Sequence, residues 1–353
     1  MSSGLFKQEE ALLSNAKAQA ENHTLDAEQS KVLLKGYEKL LKQTRRLVKM
    51  SDRTEAELNR LSKEQVNLNQ TLSEQNNKLE TLSVKLSKYL SPQVYESIFS
   101  GKAEVRVGAD RKYLTVFFSD IVSFTEITDQ LEPEILTRSL NAYLNEMAAV
   151  AISHGATIDK YIGDAIMALF PNPEDAVQSG VVMLKKLEAY NEGRKRAGYT
   201  PIRIGVGVNT GPVILGMLGE ENRLDGTVII DTVNLASRLE GLTKTYRTPL
   251  LVSEFTVSAL EDASAFRTRH VGRATIKGKS RPVTVYEVLD AEPDTVAAKK
   301  MGTATRFEEA LFQYEQGRLR EALEGFQECV REVPEDETAQ AYAQRCTKQP
   351  DLL

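Results

Sequence analysis

Hydrophobic and polar positions change rhythm twice along the chain. From about residue 30 to residue 90, leucines recur every three and four residues in a Lys-, Gln-, Glu- and Asn-rich stretch that has no proline and only Gly36. That spacing predicts one long helix. In its second half Leu58, Gln65, Leu72, Leu79 and Leu86 fall on one heptad position, and Leu61, Leu68, Gln75, Leu82 and Tyr89 on the other. Eight of the ten are apolar, the remaining faces are polar, and the pattern predicts a parallel coiled-coil dimer in which Gln65 and Gln75 fix register. A helix packed on its own globular domain is the alternative, and so polar a surround argues against it. The segment "LSPQVYESIFSG" then breaks the helix at Pro92 and starts a short second one.

From Lys112 to Leu289 the rhythm shortens to β-rich runs alternating with helical periods. "KYLTVFFSD" reads as a strand, "PEILTRSLNAYLNEMAAVAISHG" as a helix ending at Gly155, and "ATIDKYIGDAIMALFP" as two strands around a Gly-Asp turn. A second helix follows in "EDAVQSGVVMLKKLEAYNEGRKR", then a strand pair in "IRIGVGVNTGPVILGMLG" and a helix opening on Asp231 in "DTVNLASRLEGLTKTY". "PLLVS" and "RPVTVYEVL" supply later strands. Strand, helix, hairpin, helix, strand is the βαββαβ order of a ferredoxin-like unit. The expected fold class is therefore α+β, a sandwich with helices on one face, preceded by the long coiled-coil helix and followed by a small helical hairpin. The predicted boundaries are a helical signalling region at 1–90, a linker at 91–110, the α+β domain at 111–290, a linker at 291–302 and a helical tail at 303–353. In that tail Ala310, Gly317, Ala322, Phe326 and Pro334 have the spacing of one tetratricopeptide repeat, with 337–347 as a capping helix. A lone repeat cannot bury a continuous core, so it must pack on the α+β domain, on a dimer mate or on another protein.

Composition narrows the classes of function. Of 353 residues 27% are charged and 41% hydrophobic, and the net charge is -5, which excludes an electrostatic nucleic-acid binder and predicts a soluble protein. The N-terminus lacks the apolar core of a signal peptide, and the longest apolar-leaning run, "MAAVAISHGATI", is too short to span a bilayer. Only Cys329 and Cys346 occur, which suits a reducing compartment and two small buried side chains. The expected location is cytoplasmic.

Candidate chemistry begins with two carboxylates at the ends of apolar runs, Asp120 after "LTVFFS" and Asp164 in "YIGDAIMALF". On neighbouring strands they would lie side by side and repel unless a cation sat between them, and hard oxygen ligands favour Mg²⁺ or Mn²⁺. The plainer reading makes Asp120 a helix cap and Asp164 a turn residue.

In order and spacing, "FFSDIVSFT", "IDKYIGDAIMALF", "IGVGVNTGPVILGMLG" and "DTVNLASRLE" resemble the catalytic domain of the class III adenylate and guanylate cyclases, over roughly residues 110–290. Four motifs in sequence make the resemblance specific, unlike a lone Gly-rich loop at Gly205 to Gly207. It implies that Asp120 and Asp164, assisted by the Ile121 carbonyl, hold two Mg²⁺ or Mn²⁺ ions, and that backbone N–H groups around Phe124 and Thr125 cradle the triphosphate of ATP. It implies further that Asn234 orients the ribose and Arg238 steadies charge on the α-phosphate across a homodimer interface. Lys277 matches a lysine that contacts the terminal phosphates, with Lys279 and Arg281 close beside it as alternatives.

The resemblance also speaks to the base. Lys160 stands where adenylate cyclases carry lysine and guanylate cyclases glutamate, and an ammonium donor suits the N1 acceptor of adenine. Thr227 stands where animal adenylate cyclases carry Asp. The Lys and Thr pairing is similar to the bacterial and bicarbonate-responsive soluble branch, which implies stimulation by bicarbonate at constant pH. Pro212 departs from relatives with a phosphate-binding Arg there, and "VII" before Asp231 departs from a more Gly- and Trp-rich pattern. The expected function is thus conversion of ATP to cyclic AMP and pyrophosphate by a homodimer, with a possible protein partner for the tail. The alternatives are a guanylate cyclase and a silent cyclase-fold interaction module.

Overall fold

The computed structural model describes residues 7–22, 26–87, 95, 109–128, 132–220, 223–229, 231–275 and 282–348. The break expected at Pro92 and the short helix after it lie outside them, apart from Tyr95. The chain divides into two compact units, Met1–Lys85 and Leu86–Leu353.

The first unit holds α1 (Lys7–Glu21), which the leucine pattern does not announce, and most of α2 (Ala27–Leu86). Helix α2 opens on Asp26, whose Oδ1 accepts from the Glu28 amide at 2.9 Å. Its sixty residues make a rod about 90 Å long. Leu58, Leu61, Leu68, Leu72, Leu79 and Leu82 are all exposed on it.

The second unit is built on a sheet ordered β2-β3-β1-β4-β6-β8-β7, with β5 paired to β4. Its strands are β1 (Ala109–Ile121), β2 (Thr157–Ile162), β3 (Ala165–Phe170), β4 (Ile204–Glu220), β5 (Arg223–Ile229), β6 (Leu250–Ser253), β7 (Thr268–Ala274) and β8 (Val283–Val288). The helices are α3 (Phe124–Thr128), α4 (Pro133–Ser153), α5 (Pro173–Arg196), α6 (Asp231–Tyr246), α7 (Glu254–Ala259), α8 (Asp294–Gly302), α9 (Ala304–Glu315), α10 (Leu319–Glu332) and α11 (Glu337–Thr347). Strands β2, β3, β1 and β4 pair antiparallel in that order, the ferredoxin-like arrangement, and β6 extends the sheet in parallel to β4.

Two-residue alternation divides each central strand between two cores. Phe117 and Ile121 of β1, with Ile166, Ala168 and Phe170 of β3, pack with Tyr143 and Met147 of α4 and Val177 and Val181 of α5. Val116 and Phe118, with Met167 and Leu169, face the other way and meet Ala236 of α6. Helices thus cover both faces, not one as expected. The "strand pair" expected in "IRIGVGVNTGPVILGMLG" is also a single strand, β4, and Gly205 to Gly207 lies inside it rather than in a loop. The glycines there serve packing: a Cβ on Gly207 would sit 2.2 Å from the Glu240 amide nitrogen and 2.4 Å from the Ala236 carbonyl. Only glycine lets α6 lie backbone-to-backbone on β4.

The helical tail packs on this unit. Phe307, Ala310, Phe326, Cys329, Tyr342 and Cys346 share a core with Leu235, Leu239 and Tyr246 of α6 and Val271, Val283 and Val285 of β7 and β8. Phe326 stacks on Tyr342 at 4.9 Å between ring centroids, and the Tyr342 hydroxyl donates to the Val271 carbonyl at 2.6 Å. A buried ionic cluster adds to the join. The Arg269 guanidinium reaches Asp336 with two bonds of 2.7 and 2.9 Å and Glu287 at 2.5 Å, while Lys300 pairs with Glu292. Asp336 also caps α11 by accepting from the Ala339 amide. Lys300 lies on α8, within the stretch expected to be a linker. Cys329 and Cys346 are free and buried, as their small size suggests.

Candidate active site

Strand β1 delivers Asp120 at its C-terminal end, one register step from where the β2–β3 turn delivers Asp164. The turn is tight because Gly163 takes φ +65°, a conformation glycine adopts without cost. Asp164 Oδ2 accepts the Ile121 amide at 3.1 Å, which pins one carboxylate to the backbone beside the other. Burial and then the neighbouring Asp120 push the Asp164 carboxyl up to about 6. Two carboxylates that resist being charged together are what a hard cation relieves.

After Ile121 the Val122 amide donates to the Arg203 carbonyl at 2.8 Å, and Ser123 takes φ +56° to turn the chain into α3. That helix is five residues long. Phe124 is half-buried against the first core, so its backbone rather than its ring is free to face a ligand, and Thr125 is exposed.

Helix α6 approaches from the other side. Asp120 is registered opposite Gly205 on β4, and a Cβ at Gly205 would lie 3.1 Å from Glu240 Oε1. Glu240 therefore stands over the glycine next to Asp120. Burial, then Asp120, pushes its carboxyl up to about 7. One turn further along, Lys244 Nζ lies 3.4 Å from Asp120 Oδ2 and 3.8 Å from Glu240 Oε1. Among the described residues no three His, Cys, Asp or Glu side chains converge as a closed metal cage. The donor set that fits a divalent ion is Asp120, Asp164 and the Ile121 carbonyl, the hard oxygens such an ion prefers.

Asn234 and Arg238 are both exposed on α6, four residues apart and so on one side of the helix. They stand apart from the inward side that carries Ala236, Leu239 and Glu240. Lys160 sits on β2 at an irregularity between Ile158 and Lys160, with its Nζ 3.4 Å from the buried carboxylate of Asp159. Thr227, on β5, pairs in register with Gly216 of β4, and Lys277 lies outside the described residues.

Three residues of this neighbourhood were not anticipated: Asp159, Glu240 and Lys244. The available signal for Glu240 was the inward period Ala236, Leu239, Glu240 and Thr243 on α6, set against glycines at alternate positions of β4. Together they announce a helix seated directly on the strand next to Asp120.

Residues 107–289 match the family model described as the adenylate and guanylate cyclase catalytic domain. A terminal-differentiation-specific adenylate cyclase of Dictyostelium discoideum is 35% identical over 270 residues, 74% of this chain and 12% of that protein. An adenylate cyclase of Anabaena cylindrica is 37% identical over 211 residues, 58% of this chain and 41% of that protein. The chain thus spans less than half the length of either curated relative. A solved bacterial light-regulated adenylyl cyclase shares the fold with a TM-score of 0.56 at 23% identity, over 64% of this chain and 66% of that one. With the antiparallel β2-β3-β1-β4 core in hand and the family model covering the whole of it, the chain belongs to the adenylate and guanylate cyclase catalytic domain family.

Proposed function

We propose that the chain is an adenylate cyclase, forming 3′,5′-cyclic AMP and pyrophosphate from ATP at a site completed by a second copy of itself. The observation that carries the reading is the pair Asp120 and Asp164, brought together by β1 and the β2–β3 turn and held beside the Ile121 amide. Bound there, one divalent ion would lower the pKa of the ribose 3′-hydroxyl and a second would steady the β- and γ-phosphates. Asp120, Asp164 and the Ile121 carbonyl would hold those ions. The backbone from Ser123 to Thr125 would receive the triphosphate, since the Ile121 and Val122 amides are engaged by Asp164 and the Arg203 carbonyl, and Lys277 would contact its terminal phosphates.

Asn234 and Arg238 would serve the partner's nucleotide. Both are exposed on the same side of α6, available to a second copy. A guanidinium suits the α-phosphate, where charge builds as the ring closes, because its planar fork can bond two oxygens at once. Asn234 would orient the ribose. Lys160 and Thr227 would select adenine, the lysine donating to N1 and the hydroxyl accepting from the N6 amino group. The exposed leucines of α2 would pair two chains as a parallel coiled coil, and the tail would present its repeat-like surface to another protein.

The test is purified protein with ATP and Mn²⁺, scored for cyclic AMP, beside Asp120→Ala. Activity should fall roughly a thousandfold or more, the several kcal/mol that metal assistance supplies. Activity that survives the substitution refutes the metal assignment. Lys160→Glu should shift preference from ATP towards GTP, and an unchanged preference removes the base assignment.

A further inference from the structure

Lys244 has no part in the reading above, although its ammonium is 3.4 Å from Asp120 Oδ2, an oxygen of a proposed metal ligand. We infer that Lys244 is a resident counter-cation of the carboxylate site, which competes with the divalent ions for Asp120, while Glu240 supplies a third negative charge that favours them. The inference rests on Asp120 and Asp164 being the metal ligands.

The geometry is specific to how α6 is seated. Gly205 and Gly207 bring the helix onto β4, and Asp120 is registered across from Gly205. A residue with a Cβ at 205 would meet Thr243 Oγ1 at 2.2 Å and the Glu240 carboxylate at 3.1 Å, and so would lift both away from Asp120. Glu240 is thus held over the site by the backbone fit of helix on strand. It sits two positions beyond Arg238 and faces inward where Arg238 faces out.

The charges differ in consequence. Asp120, Asp164 and Glu240 bring three carboxylates and Lys244 one ammonium. With no divalent ion the ammonium is the near cation that offsets Asp120. When an ion binds Asp120, the lysine loses that partner and its own charge opposes the ion. It is free to leave, since its side chain is 43% exposed and Glu240 Oε1 is 3.8 Å away as an alternative partner. An exposed lysine of this kind exerts a modest effect, because solvent screens it. The same helix carries Asn234 and Arg238, so the Lys244–Asp120 contact also ties the residues that serve the partner's nucleotide to the metal ligand of their own chain.

The experiment measures Mn²⁺ binding to the nucleotide-free protein by the electron paramagnetic resonance signal of free Mn²⁺, independently of turnover. Lys244→Met should bind Mn²⁺ about threefold to tenfold more tightly than wild type, and Lys244→Arg, which keeps the charge, should stay close to wild type. Glu240→Gln should weaken binding by a similar factor. High salt should narrow the difference between wild type and Lys244→Met. Lys244 is exposed, so the variants should fold, which thermal melting verifies. Unchanged or weaker binding in Lys244→Met overturns the inference. If Asp120→Ala binds Mn²⁺ as well as wild type, the metal assignment itself has failed and this inference falls with it. If Asp120→Ala loses Mn²⁺ while Lys244→Met is indistinguishable from wild type, only this inference fails.

Discussion

The Arg269–Asp336 cluster that fastens the tail and the Asp120–Asp164 pair at the end of β1 are made from the same kinds of side chain and behave in opposite ways. Burial works to raise the Asp336 carboxyl, but the bidentate Arg269, with Lys300 behind it, overcomes this and holds it below the usual carboxylate range. Asp164 is also partly buried, has a second carboxylate for a neighbour, and is pushed up. The first cluster is satisfied by the protein itself. In the second, negative charge is left over for something the chain does not contain. The contrast separates a structural ionic knot from a site that waits for a cation: the number of ion pairs says little, and whether the partners are internal says a great deal.

That comparison can be tested most severely at Arg269. Arg269→Ala would leave Glu287 and Asp336 buried without their cation, and breaking a buried pair in this way costs about 3–5 kcal/mol. Thermal melting should fall by on the order of 10 °C. A change of a degree or less would mean that water or Lys300 replaces the guanidinium and that the knot is not closed.

A smaller effect, reaching both regions, is expected from Gly207→Ala. The added methyl would meet the backbone of α6, which cannot move aside as a flexible side chain can. Overpacking of this sort costs roughly 1–3 kcal/mol, and here it must displace the helix that carries Asn234, Arg238, Glu240 and Lys244. Cyclase activity should fall more than the loss of stability explains. Full activity at lowered stability would show that the seating of α6 matters to the fold alone.

Much of this was readable before the structure, and what was not has a common cause. Helix α2, expected over about 30–90, runs from Ala27 to Leu86; α6 opens on Asp231 and the β2–β3 turn uses Gly163, as the local patterns announce. Each of these depends on residues close in sequence. Strand β7 is not announced locally, because it carries Arg269 and His270 and the carboxylate that pairs with buried Arg269 comes 67 residues later. Strand β4 is expected as a strand pair but is continuous, and its glycines are the landing ground for α6. At the site, Asp120 and Asp164 were visible as strand-end carboxylates. Glu240 and Lys244 were not, since their nearness to Asp120 exists only once the helix has docked.

The smallest effect expected concerns pH, and its sign differs between the two clusters. The raised folded-state values of Asp164, about 6, and Glu240, about 7, mean that each favours the metal-free fold while protonated. That contribution is complete below their unfolded values near 4 and is lost as pH rises through the folded ones. Asp336 is lowered, so its contribution is present above its unfolded value and lost as pH falls below it. Asp164→Asn keeps an acceptor for the Ile121 amide and removes the charge. Without metal, its melting temperature should match wild type near pH 4 and exceed it slightly near pH 8, with the excess developing between pH 4 and 7. Added Mn²⁺ should then reverse the order at pH 8, because the ion stabilises only the protein that still offers both carboxylates. Should Asp164→Asn melt lower than wild type without metal at pH 8, Asp164 would be satisfied from within the chain, and the distinction between the two clusters would fail.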